Sequence, residues 1–398
     1  MTDPLPDQRT ARVATAAAFA LQGFFLAVLL TQLPQFKDKF GFTETTIVVA
    51  VVTVSLVAGA GSVLAEFVAT RTSSRTTLRV GLSVIAVAGV GIAFSHTTIL
   101  FFVGFACYGI GLGMVDAAAN MQAVAIQRRY GRSILSSFHA VWSVGAIVGA
   151  LFVSASAGLG VGLGVCLLIA AVVVGAGTAA LGPRLLVTGS EAADPSTAAA
   201  PLSVPLRPFL ALGIAMALFF AIDFAVGNWS ALYLTDMLLA SASTAALAVA
   251  AYQGAGLVSR LTGDFWVRRH GEIAVVRVGA TIGAVGLVVV VCATGPVMAI
   301  VGFLIVGLGA PVVAPLCFSA AGRLAPPDRA DAVVARLNLF NYAGTIIGGG
   351  IVGAVAALSN MRIGFAIPLA FAVALILLAP AFRPDRVPTT PQAADPVH

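Results

Sequence analysis

Long apolar runs alternate with short polar breaks along almost the whole chain. The runs fall at approximately 11–33, 46–70, 77–95, 99–127, 134–158, 160–182, 208–235, 242–266, 273–295, 296–322, 333–358 and 361–382. Each is about twenty residues long, and at a rise of ~1.5 Å per residue a helix of that length crosses the hydrocarbon core of a bilayer. The pattern therefore predicts twelve membrane-spanning helices and an all-α membrane protein. Gly109 and Gly113, and again Gly145 and Gly149, have the four-residue spacing that lets two helix backbones approach closely.

The runs also repeat. A shift of about 198 positions lays "GIGLGMVDAAANMQ" at 109 on "GLGAPVVAPLCFSA" at 307, and "AGAGSVLAE", ending at Glu66, on "GLVSRLTGD", ending at Asp264. With one further residue of shift "FHAVWSVGAIVGA" falls on "LNLFNYAGTIIGG", so that Gly145 and Gly149 meet Gly344 and Gly348. Six crossings per copy is an even number, so both copies enter the membrane in the same direction and form a parallel repeat. This predicts an N-terminal six-helix half over 1–187, a C-terminal half over 208–382, a Pro/Ala/Ser-rich linker over 188–207 and a disordered tail over 383–398.

Composition agrees: 59% of residues are hydrophobic and only 10% charged, where a soluble domain carries roughly a quarter charged. The few positive residues fix the expected orientation. Arg9 and Arg12 precede the first crossing, Arg71, Arg75 and Arg79 follow the second and Arg128, Arg129 and Arg132 the fourth, and Arg184, Arg207, Arg268, Arg269, Arg323 and Arg329 lie in the later connections that follow even-numbered crossings. The other side offers Lys37, Lys39 and Arg362, so both termini are expected in the cytoplasm. The net charge of +6 then reflects topology, and nucleic acid is not expected as a partner. Asp3 and Asp7 precede a first run too long for a signal peptide, which is read as a retained helix. Cys107, Cys166, Cys292 and Cys317 lie within spans, have no metal-ligand spacing and are read as packing residues.

Polar groups inside the runs carry the candidate chemistry, because an ionisable side chain in the bilayer normally faces a partner or a water-filled cavity. Asp116 and Asn120 share one helix face in span four, His139 with Trp142 lies early in span five, and Asp223 lies in span seven ahead of Asn228, Trp229 and Tyr233. Asp116, His139 and Asp223 are the candidates for proton coupling; for each, a hydrogen-bonded structural role is the alternative. Tyr252 and Gln253 in span eight, with Asn338, Asn341 and Tyr342 in span eleven, bring amides and aromatics to comparable depth in the second half. With Asn120, Trp142, Asn228, Trp229 and Tyr233 they are candidate solute contacts. Pro311 and Pro315 in span ten free backbone carbonyls and kink a helix, as a gate or as plain curvature.

Two parallel six-helix halves with a central linker resemble the major facilitator superfamily. The stretch "SRLTGDFWVRRHG" resembles that family's G-R-x-x-G-D-R-x-G-R-R element through Arg260, Gly263, Asp264 and Arg269, and in the first half Glu66 keeps the acid. The resemblance implies that these five residues latch the cytoplasmic ends of the halves in one state; capping of a helix is the alternative for the acids. Within the family, "LPQFKDKFGFT", "GMVDAAANMQA", "SSFHAVWSVG" and "GNWSALYLTD" resemble the fucose-permease-like branch. The first span lacks the acid that its sugar symporters have there. No Walker A element, HExxH, paired Cys/His spacing or nucleophile elbow occurs, so neither an enzyme, a bound metal nor a cofactor is expected. The expected function is a monomeric, gradient-driven transporter of the inner membrane. Its partners are protons, lipid and a small solute, and its work is proton-coupled import of a sugar or related polar compound. Proton-driven efflux of an amphipathic compound and a non-transporting sensor on the same fold are the alternatives.

Overall fold

The computed structural model describes residues 6–187 and 204–383. Its helices are α1 (Pro6–Thr31), α2 (Leu33–Phe40), α3 (Glu44–Arg71), α4 (Ser74–Ala93), α5 (Thr98–Tyr130), α6 (Leu135–Gly158) and α7 (Leu163–Leu181). The second group comprises α8 (Leu206–Leu232), α9 (Ala242–His270), α10 (Glu272–Val291), α11 (Pro296–Gly309), α12 (Val313–Arg323), α13 (Ala330–Leu358) and α14 (Met361–Leu378). Of the linker, residues 188–203 lie outside the described residues, and Leu206 and Arg207 already belong to α8. The tail from 384 onward also lies outside them.

Twelve crossings emerge because α1 is continued by the short α2, while α11 and α12 form one span broken in the middle. Among the described residues eleven helices are long and apolar enough to cross a membrane. The crossing not counted among those eleven is α9, whose apolar run is diluted by Tyr252, Gln253, Arg260 and Asp264. Three of these four are buried, so the polarity of α9 is turned towards protein and not lipid. Proline sets the break in span ten: the backbone passes through a 3-10 turn at Ala310–Val312, around Pro311, and Pro315 follows in the first turn of α12.

The repeat is visible in local chemistry. Thr43 Oγ1 caps α3 by accepting from Thr46 N at 3.1 Å, and Ser241 Oγ caps its repeat mate α9 by accepting from Thr244 N at 3.2 Å. The glycine pairs do the same work in both halves. A Cβ on Gly145 would stand 2.1 Å from Ala20 O, and one on Gly344 would stand 2.2 Å from Ala217 O. Gly149 and Gly348 each face a carbonyl of the same partner helices, Phe24 O and Ala221 O, at 2.3 Å. Backbone contact thus joins α1 to α6 and α8 to α13. Only a residue without a side chain permits it, which is why these positions coincide under the repeat. The cysteines form no bridge; Cys166 and Cys317 are buried, and Cys107 and Cys292 are exposed.

Candidate functional site

The first group of helices meets the second mainly through α3 against α13 and α6 against α9. Asp116, halfway along α5, reaches the second group through α13. Gln22 of α1 donates to its Oδ1 and the Tyr342 hydroxyl of α13 donates to its Oδ2, so one carboxylate is held from both groups of helices at once. Gln22, Asn120 and Tyr342 are buried around it. Asn120, one turn on, donates from Nδ2 to Asp116 O at 2.9 Å, which leaves its Oδ1 free to accept from His139 Nε2 at 3.2 Å. That arrangement requires the proton of a neutral His139 on Nε2. The imidazole packs between the rings of Phe19 and Phe318.

A second polar pair joins α8 to α9. Tyr252 of α9 donates from its hydroxyl to Asp223 Oδ1 of α8 at 2.6 Å, and Asn341 is buried one residue before Tyr342. The sequence candidates therefore separate. Asp116, Asn120, His139 and Tyr342 form one bonded network, and Asp223 and Tyr252 form another. Trp142 is half-buried, with its backbone carbonyl against Gly23.

Other candidates sit elsewhere. Tyr233 is fully buried in the packing of the second group, with its hydroxyl donating to Val290 O at 2.8 Å and its ring against Phe365. Trp229 packs its indole over Gly353, where a Cβ would stand 2.3 Å from Cζ2. Asn228 is exposed and donates to Phe224 O at 2.8 Å; Gln253 is exposed with no bonded partner among the described residues. Asn338 is completely buried and donates to Ser62 Oγ at 2.8 Å, joining α13 to α3. Periodicity places these side chains on the polar faces of their helices, but the neighbouring helix decides whether such a face meets a cavity or a packed partner.

Below the Asp116 level, towards the arginine-rich end, the two groups are tied repeatedly. Asp264 Oδ1 accepts from Ser136 N at 3.1 Å and from Ser133 Oγ at 2.9 Å, and Oδ2 accepts from Ser137 N at 2.9 Å. The carboxylate thus caps the N-terminus of α6 from the opposite group, where helix dipole and exposed N–H groups favour negative charge. Gly263 makes the approach possible, since a Cβ there would lie 2.8 Å from Ser136 Oγ. Glu66 pairs with Arg336 across the other contact, with Nη2–Oε1 at 2.7 Å. Arg128 donates to Gly322 O and Ala325 O, and Arg268 donates to Ser133 O at 3.0 Å. Arg269 is exposed without a bonded partner among the described residues; its neighbour Arg268 makes the crossing contact. Arg260 reaches across at the top of this layer, Nη1 donating to Ser143 Oγ at 2.7 Å.

Gln22, Ser62 and Arg336 were not singled out from sequence, and Arg128 only as one of the loop charges that set the orientation. An amide in the middle of an apolar run was a usable signal for Gln22, whereas Ser62 is a small hydroxyl like many others in the chain.

A repeated twelve-helix bundle with polar groups in mid-helix and ties at one end is an architecture that secondary transporters use. The comparisons agree. The Major Facilitator Superfamily profile matches residues 212–396. An uncharacterized transporter of Sinorhizobium fredii is 30% identical over 378 residues, 92% of this chain and 97% of its own length. An uncharacterized MFS-type transporter of Yersinia pestis is 28% identical over 371 residues, 93% of this chain and 94% of its own. Among solved structures, FucP in the outward conformation has a TM-score of 0.75 at 16% identity, covering 93% of this chain and 98% of that one. FucP is the E. coli fucose:proton symporter. The chain belongs to the major facilitator superfamily and is a secondary transporter, not an enzyme.

Proposed function

We propose that this chain imports a sugar or related polar solute together with a proton, across a bacterial inner membrane, with both termini in the cytoplasm. The observation that carries the reading is the Asp116 carboxylate, accepting from Gln22 on one side and Tyr342 on the other. An ionised carboxylate has lone pairs for both donors; once protonated it carries a hydrogen of its own and serves them less well. Protonation therefore loosens a tie between the halves, and this links proton loading to their relative movement. The positive-inside pattern puts the tied, arginine-rich end in the cytoplasm. On that orientation the halves are closed on the cytoplasmic side, as in an outward-facing state, with Asp264 as part of the inner latch.

Two expectations arise here. Asp264→Asn should weaken the charge-assisted cap of α6; hydrogen bonds to charged groups are worth about 1.5–3 kcal/mol. The inward-open population should accordingly rise by about tenfold or more. Labelling of an introduced cytoplasmic cysteine measures this, and unchanged labelling would leave Asp264 a simple helix cap. Second, Ser62→Cys with Asn338→Cys, in a background lacking the four native cysteines, should cross-link in the resting state, because the native side chains are bonded at 2.8 Å. Adding a transported solute with an inward proton gradient should lower the cross-linked fraction. A fraction indifferent to every transported solute contradicts rocking of the halves.

A further inference from the structure

Arg260 is the one candidate of the latch whose surroundings fit poorly with latching alone. It is 8% exposed, at the level of His139 and Ser143, and its Nη1 donates to Ser143 Oγ at 2.7 Å. That hydroxyl is itself committed to His139 O at 3.2 Å. The Nε of Arg260 is buried and has no hydrogen-bond partner among the described residues.

Among the described residues no carboxylate forms an ion pair with the guanidinium. Asp264, one turn further along α9, is taken by the N-terminus of α6. Asp223 accepts from Tyr252, and Asp116 is held by Gln22 and Tyr342. Arg260 therefore sets its positive charge, largely removed from water, against one neutral hydroxyl, an arrangement that is unfavourable unless an anion completes it. The edge of a guanidinium formed by Nε and Nη2 is one that a carboxylate or phosphate can grip with two parallel hydrogen bonds. In Arg260 no group among the described residues uses that edge.

We infer that the transported solute carries an anionic group, a carboxylate or phosphate, and that Arg260 binds it through its Nε–Nη2 edge. This rests on the transport reading above and narrows its solute from polar compounds in general to acids, such as sugar acids. It also supplies the coupling. Arg260 connects to Asp116 through Ser143, His139 and Asn120, and an anion held at Arg260 is disfavoured by an ionised Asp116 at that range, so anion and proton favour each other's binding by electrostatics. One proton with one monoanion moves no net charge, and a membrane potential alone then drives nothing.

The test uses the purified full chain and matched acid/neutral pairs: glucuronate and glucose, galacturonate and galactose, gluconate and sorbitol, lactate and propane-1,2-diol, glucose 6-phosphate and glucose. Binding is read as the rise in thermal stability with concentration, since a ligand of the folded state stabilises it by mass action. At least one acid should bind about tenfold or more tightly than its neutral partner, the order expected when a buried charge pair is satisfied. Arg260→Gln should abolish that preference, and Arg260→Lys, which keeps the charge but loses the fork, should retain part of it. If Arg260→Gln is not monodisperse, the wild-type acid/neutral ratio and the Lys variant decide. Neutral partners that bind as well as the acids, an acid preference intact in Arg260→Gln, or a panel in which no acid binds would each overturn the inference. Proteoliposome uptake separates the two readings: acids that bind but are never accumulated count against transport, and neutral solutes accumulated on a proton gradient keep transport and discard the anion.

Discussion

Asp116→Asn is expected to abolish uphill uptake while leaving solute binding and exchange in place. Asparagine keeps the size of the side chain and an oxygen that accepts from Gln22 or Tyr342, but it cannot exchange a proton. In proteoliposomes with an inward proton gradient the wild type should concentrate solute, and the variant should stop at equal concentrations on both sides. Counterflow exchange, which needs no net proton movement, should stay within about fivefold of wild type, because about one hydrogen bond worth ~1 kcal/mol is disturbed. Accumulation undiminished in Asp116→Asn would move the coupling group to Asp223 or His139. Loss of all binding would instead mean that Asp116 serves only to hold α1, α5 and α13 together.

The largest structural effect is expected at Gly113. A Cβ there would lie 1.8 Å from Ala58 O, far inside contact distance, and the obstructing atom is backbone that cannot rotate away. Gly113→Val must push α3 and α5 apart. It would also break the bond from Ser62 Oγ to Gly113 O at 3.2 Å, and with it the support for the Ser62–Asn338 tie between halves. Overpacking commonly costs about 1–3 kcal/mol, and here the upper end or beyond is expected. The folded, monodisperse yield should fall steeply and the Tm of what remains should drop. Gly59→Ala in α3 is the control, because nothing lies within 4 Å of a Cβ there. It should leave Tm unchanged or slightly raised, since glycine in a helix interior costs ~0.5–1 kcal/mol relative to alanine. A Gly113→Val protein as stable as Gly59→Ala would contradict the close packing of α3 on α5.

The contrast between these two glycines shows what a single sequence reveals of this fold. The apolar runs, their number and the repeat were legible because lipid imposes one constraint on every crossing, and because Gly145 and Gly149 perform in the first half what Gly344 and Gly348 perform in the second. The broken tenth span was legible from Pro311 and Pro315, since proline acts locally. Short α2 was not: its amphipathic turn, with Phe36 against Phe101 at 4.8 Å, reads in sequence as part of a loop.

The site was legible by halves. Asp116 with Asn120, and Asp264 with Gly263, stood out because charge and small residues are conspicuous in an apolar run. Their partners did not, because Tyr342 lies 226 residues from Asp116 and Gln22 lies 94 residues away. Helical periodicity tells which side of a helix is polar and says nothing of which helix will face it. The same limit placed Tyr233 among solute contacts, when its hydroxyl is in fact used by the end of α10.

The most direct test of proton coupling through Asp116 is proton flux itself. Wild-type protein is reconstituted with a pH-sensitive dye in the lumen, and solute is added outside with no pH gradient imposed. Solute flowing in should acidify the lumen, at a rate that follows solute uptake and vanishes in Asp116→Asn. Solute uptake without any acidification, or acidification unchanged in the Asn variant, would contradict the account.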